Sequence, residues 1–143
     1  CRMIRKGCTV YLPVNVPGAL LYIGDLHARM ADGEVVSCGM ECRGAVQVRV
    51  RVCTDLRMPT PAVRTDTHFM TVQSAQTLED ASVQASRMMR DFLVQNCGLD
   101  VIDACMLLSL TGDLCICQIV DPLMTVRMQL PLDVLESYGV CMP

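Results

Sequence analysis

Eleven residues, Gly24-Asp25-Leu26-His27-Ala28-Arg29-Met30-Ala31-Asp32-Gly33-Glu34, carry three carboxylates and one of the chain's two histidines. They interrupt a sequence otherwise dominated by Val, Leu, Met and Cys. On extended backbone, Asp25 and His27 lie two apart and share a face. A carboxylate and an imidazole side by side can hold a metal ion, or orient each other as an acid–base pair. The same residues also fit a plain polar turn, with Asp32-Gly33 supplying positive dihedral angles and the charges solvated. Spacing alone leaves both readings open.

The element that must deliver this motif is the apolar run Gly18-Ala19-Leu20-Leu21-Tyr22-Ile23, which predicts a strand ending at Gly24. Residues 9–14 predict an earlier strand, with Pro13 placing part of it at an edge or bulge. Val46, Val48, Val50 and Val52 alternate with Gln47, Arg49 and Arg51, the pattern of a half-buried antiparallel strand whose arginines sit on a solvated face. Residues 54–64, with Pro59 and Pro61, read as a loop, and Arg64 to Val72 as a further strand holding His68, a structural or surface residue. Thr77-Leu78-Glu79-Asp80 offers a helix N-cap with acids in the first turn. Leu78, Ala81, Ala85, Met88, Met89, Phe92 and Leu93 then recur at helical spacing as far as Cys97, with Gly98 as the C-terminal stop. A shorter helix starts near Asp100 and carries Ile102, Cys105, Met106 and Leu108. Residues 113–120 are apolar on both faces and predict a central strand, with Asp113 and Asp121 in capping and turn roles. Thr125 to Leu130 alternates again, and Pro131 opens a last short helix over 132–138. The fold class is α+β, a mostly antiparallel sheet with two main helices packed on it.

Composition narrows the function. The 143 residues have the size of a single domain, 1–143, able to bury a core. They are 52% hydrophobic but only 3% aromatic, without Trp and with eleven Met, so an aliphatic core is expected. Twelve basic against fifteen acidic side chains leave a net charge of −3. Nine of the basic residues but only five of the acidic ones precede residue 65. An acidic whole without an aromatic-rich basic face argues against nucleic acid as a partner. No apolar run reaches the roughly 18 residues of a membrane span, and no signal peptide is legible. Ten Cys without a C-x-x-C pair, with Cys53, Cys105, Cys115 and Cys117 inside apolar runs, predict buried reduced thiols in a reducing, cytoplasmic setting. The chain opens on Cys1, which suggests processing, cleavage or derivation from a longer protein.

Taken together, Leu12-Pro13-Val14, Pro17-Gly18-Ala19-Leu20, Gly24-Asp25-Leu26-His27-Ala28 and Asp32-Gly33-Glu34 resemble the signature of the acetamidase/formamidase family. Glu41, seven residues after Glu34, and the stretch from Ser109 to Asp121 are similar to that family as well. The resemblance implies an α+β fold, hydrolysis of short aliphatic amides to a carboxylate and ammonia, metal dependence and assembly into oligomers. It also implies that the chain corresponds to the C-terminal half of a longer one, partnered by its own copies or by the missing N-terminal half. One departure stands inside the motif: the family's Ala-Gln-Gly-Asp-Gly-Glu is Arg29-Met30-Ala31-Asp32-Gly33-Glu34 here, which removes an amide side chain.

Amide hydrolysis needs a stronger nucleophile than water and a stronger electrophile than an amide; a divalent ion, zinc or calcium, supplies both. Asp25 and His27 are the expected ligands, with Glu41 as the third. Glu34, with Asp32 as second choice, is the expected group that takes the proton from water and passes it to the leaving nitrogen. Cys38 as a nucleophile is the rival mechanism, without a second His close in sequence to activate it. The alternative of a different class is an inactive relative or fragment that acts as a binding or assembly module.

Overall fold

Val126, Met128 and Leu130 alternate with Arg127 and Gln129, and that period of two puts three apolar side chains on one face of a strand. In the computed structural model, which describes residues 1–54, 58–59 and 61–142, this strand is β7, Met124–Pro131. It lies in a five-stranded sheet with β1, Thr9–Tyr11, β4, Ala62–Arg64, β5, His68–Ala75, and β6, Asp113–Gln118. The order across the sheet is β1-β4-β5-β7-β6, with every neighbouring pair antiparallel. A separate two-stranded ladder joins β2, His27–Arg29, to β3, Met40–Glu41.

Helix α1, Leu78–Cys97, covers one face of this sheet. Thr77 caps it by accepting from Asp80 N, and Gly98, at φ 68°, ends it. Ala81, Ala85, Met89, Phe92 and Leu93 form its buried stripe. Helix α2, Val101–Thr111, is capped by Asp100 and packs against α1 through Ala104 and Leu108. Helix α3, Leu132–Ser137, continues directly from β7 and buries Leu132 and Leu135. The core is aliphatic apart from one aromatic group: Phe69 meets Phe92 at 4.7 Å and Tyr11 edge-on at 6.4 Å between ring centres. Burying a Phe stabilises the fold by about 1.5–3 kcal/mol. The α+β architecture is as expected, and among the described residues no single helix is long and apolar enough to cross a membrane.

Several expectations need correcting. Residues 18–23 form no strand, because Gly18, Ala19 and Leu20 all have positive φ and fold into a turn, with Ala19 N bonded to Val16 O. The alternating Val46–Val52 segment has no ladder partner among the described residues, and its four valines are 51–75% exposed. Strand β6 is an edge and not the centre, with Leu114 and Ile116 exposed, while β5 takes the middle. The strand over 64–72 is split by a turn at 65–67, where Thr65 Oγ1 accepts from His68 N. Of the loop read at 54–64, residues 55–57 and 60 lie outside the described residues, and Ala62–Arg64 is strand. All ten Cys are free thiols, but Cys117 alone is fully buried. Cys53 and Cys105 are exposed because one lies just beyond the unpaired Val46–Val52 segment and the other on the outer side of α2.

Candidate functional site

Strands β2 and β3 bring His27 opposite Glu41 in the ladder, fourteen residues apart in sequence. The ladder is carried one step further by Cys42 N bonding to Leu26 O. His27 Nε2 lies 2.9 Å from Glu41 Oε1 and 3.3 Å from Asp25 Oδ1. The three ligand atoms all fall within 4.8 Å of one another. Asp25 does not reach the site along a strand: it precedes β2, and its φ of 57° turns the carboxylate back toward the ring. The pairing expected from a shared strand face is therefore made by a turn. Only 12% of the His27 side chain is exposed, whereas both carboxylates are open to solvent.

The ring is held from behind. His27 Nδ1 lies 3.3 Å from Met30 Sδ, so Met30 touches the imidazole directly. A thioether is a weak acceptor, which suits Nδ1–H, while Nε2–H donates to Glu41 Oε1. Gly39 packs against the ring as well: a Cβ there would stand 2.7 Å from Nδ1, closer than real Cβ contacts come. The hydrogen bond that His27 donates to Glu41, opposed by desolvation and supported by the negative charges of Glu41, Asp25 and Glu34, raises the His27 pKa above the ordinary imidazole value.

Glu34 is half-buried beside this cluster, and its Oε1 accepts from Gly39 N at 3.1 Å. Its φ of 43° is left-handed, a conformation that a non-glycine residue adopts only when its surroundings impose it. Those surroundings start at Gly33, whose φ of 91° lets the chain turn onto β6. Gly33 N bonds to Ile116 O and Cys117 O, and Ile119 N bonds to Gly33 O.

Asp32 points away from the cluster. Its two oxygens take a two-pronged contact from Arg127 Nη1 at 2.7 Å and Nη2 at 2.8 Å, and Arg2 Nε adds a third at 3.1 Å. The Arg127 hydrogen bond, opposed by burial and reinforced by the charges of both arginines, holds the Asp32 carboxyl below its usual range. A carboxylate so paired is a poor proton acceptor, which sets Glu34 ahead of Asp32 for that role. Sequence reasoning missed Arg127, for nothing in its spacing points to a residue 95 positions upstream. The one signal was a basic side chain in a strand with a fully apolar opposite face. Cys38 is exposed, and His68 bonds to its neighbour Thr67. Asp113 accepts from Gln129, and the Asp121 amide bonds to Gln118.

The cluster of Asp25, His27 and Glu41 fits a divalent ion. Ligand bonds of about 2.1 Å in tetrahedral geometry set donor atoms about 3.4 Å apart. The separations of 3.3 and 2.9 Å about His27 Nε2 are close to that spacing. One imidazole nitrogen with two carboxylate oxygens is a borderline donor set that suits zinc better than calcium, which takes oxygen ligands.

A model of the Acetamidase/Formamidase family matches residues 1–137. The crystal structure of an acetamidase from Bacillus halodurans superposes with a TM-score of 0.93 and 52% identity, covering 96% of this chain and 46% of that one. A predicted acetamidase/formamidase from the thermophile Thermoanaerobacter tengcongensis gives 0.94 and 41%, covering 98% and 46%. A formamidase of Methylophilus methylotrophus is 40% identical over 53 residues, 36% of this chain and 13% of that protein. The chain thus spans about half the length of the solved structures that it matches.

Proposed function

Because the chain belongs to the acetamidase/formamidase family, we propose that it contributes the metal-binding and proton-transfer residues of an amidohydrolase acting on short aliphatic amides such as formamide and acetamide. The observation that carries the proposal is the convergence of Asp25, His27 and Glu41 beside Glu34. Asp25, His27 and Glu41 would hold a divalent ion, with zinc favoured by the imidazole donor. Such an ion, when bound, brings the pKa of water to about 7 and polarises the amide carbonyl.

The rest belongs to the chain's own side chains. The hydrogen bond to Glu41 and the charges of Glu41, Asp25 and Glu34, which raise the His27 pKa, make the site attractive to a cation. Glu34, held through Oε1 by Gly39 N, accepts the proton of the attacking water and returns it to the leaving nitrogen, which departs as ammonia. Arg127 and Arg2 keep Asp32 ionised and out of that exchange. Met30 and Gly39 fix the plane of the His27 ring.

Association is the second part of the proposal. The unpaired valine stripe at 46–52, Leu20 to Ile23 with Tyr22 95% exposed, and the outer side of α2 leave much apolar surface uncovered. The proposed cover is the part of the family's chain that these residues do not span, since the matched structures are about twice as long. Removal of apolar surface from water drives such contacts at roughly 25 cal/mol per Å², and obligate ones bury upwards of about 2,000 Å².

The deciding measurement is ammonia release from formamide by the chain in its native assembly. Glu34→Gln is expected to lower kcat by about 10²–10⁴-fold with metal retained. A Glu34→Gln enzyme with normal turnover removes Glu34 from the mechanism, and loss confined to Cys38→Ala transfers it to the thiol. Metal binding without any ammonia release would instead support a binding or assembly role.

A further inference from the structure

We propose that Arg127 is a positioning residue which, through Asp32, sets the loop that presents Glu34. It would thereby govern proton transfer at a site that it does not touch. The inference rests on the reading of Glu34 as the proton-transfer group.

Arg127 is 2% exposed, on the face of β7 opposite the apolar core. A buried guanidinium persists only where its donors are satisfied. Here Nε donates to Gln129 Oε1 at 3.1 Å, Nη1 and Nη2 donate to the two oxygens of Asp32, and Nη1 also lies 3.7 Å from Cys117 Sγ. A two-pronged contact between planar groups fixes the orientation of the carboxylate as well as its distance. Asp32 is therefore docked on the sheet in one pose. The next residue, Gly33, is tied to β6 by the backbone bonds at Ile116, Cys117 and Ile119.

Two consecutive anchors leave Glu34 little freedom, and they impose its left-handed φ. On its far side, Ser37 N bonds to Glu34 O and Gly39 N bonds to Glu34 Oε1. Gly39 in turn backs the His27 ring. A continuous path of contacts thus runs from Arg127 through Asp32, Gly33, Glu34 and Gly39 to His27. Displacements of about 1 Å at a reacting group can cost about a hundredfold in rate, so an anchor of this kind controls rate without contacting substrate.

The test compares Arg127→Met, Arg127→Lys, Asp32→Asn and the Arg127→Met/Asp32→Asn double variant, each in the native assembly. It reads kcat and KM for formamide, metal content, and amide hydrogen exchange along the chain. Either single variant is expected to lower kcat by about 10–100-fold, the range seen when a supporting contact behind a site is lost. KM and metal content should stay unchanged. The double variant should be no slower than the slower single one, because both act through one contact. Arg127→Lys keeps the charge without the fork and should fall between. Exchange of the amides of residues 31–39 should quicken by about tenfold or more while α1 stays protected. Losses that multiply in the double variant, an unchanged kcat, or faster exchange throughout the chain with a matching loss of metal would overturn the inference. If the wild type releases no ammonia, or Glu34→Gln turns over normally, the amidase reading fails on its own. The anchor is then judged by exchange, and unaltered protection of residues 31–39 in Arg127→Met rejects it.

Discussion

His27 and Glu41 face each other across the β2–β3 ladder with Nε2 and Oε1 2.9 Å apart. His27 Nε2–H donates to the Glu41 carboxylate here, and with a cation bound the same two atoms would serve as ligands. The ladder sets their separation, and the turn at Asp25 brings the third donor to it.

Protein purified without chelator is expected to carry about one divalent ion per chain, and His27→Ala to lose it. Elemental analysis of both proteins decides the matter. Wild type without stoichiometric metal, or an unchanged content in His27→Ala, removes the metal from the mechanism.

Gly39→Ala tests the support behind the imidazole. The added Cβ would lie 2.7 Å from His27 Nδ1, so the ring must move. Metal affinity is expected to fall by about 10–100-fold, as for other losses behind a ligand. Calorimetric titration with zinc reads this directly, and wild-type affinity in the variant would mean that the ring does not depend on Gly39.

Acid should reveal Asp32. Its folded-state pKa lies below the usual value of 3.8. The stability that it contributes is complete above the usual carboxylate range and is lost as pH falls through the folded value. Asp32→Asn is expected to cost about 1–3 kcal/mol at neutral pH, short of a fully buried pair because 31% of the Asp32 side chain is exposed. Its Tm should then fall less than that of the wild type between about pH 5 and pH 3. Parallel curves for the two proteins would show that Asp32 titrates alike folded and unfolded.

The valine stripe predicts association. Alone, the 15.7 kDa chain is expected to sediment as larger species at micromolar concentration. Supplied with the unmatched half of the Bacillus halodurans chain, it should form a defined one-to-one complex, which Val48→Asp with Val50→Asp abolishes. A monomer with the same unfolding midpoint at every concentration would show that these residues need no cover.

Local patterns were legible wherever local physics decides the outcome. Thr77 with Glu79 and Asp80, the apolar period from Ala81 to Leu93, and Gly98 determined α1 from cap to stop, because caps and an amphipathic stripe act within a few residues. The alternation at 125–130 likewise determined a strand, and the motif from Asp25 to Glu34 with Glu41 named the residues that converge. Pairing, by contrast, was decided only in three dimensions. Val46–Val52 alternates as well as Val126–Leu130 does, yet only the latter has a ladder among the described residues, since a strand exists only where a partner's backbone meets its own. The apolar residues of β6 looked central and became an edge for the same reason. Arg127 and Asp32, 95 residues apart, carry no shared local pattern. Their contact follows from the sheet order that puts β7 beside β6 and docks Gly33 on that edge, and from the need of a buried guanidinium for a carboxylate.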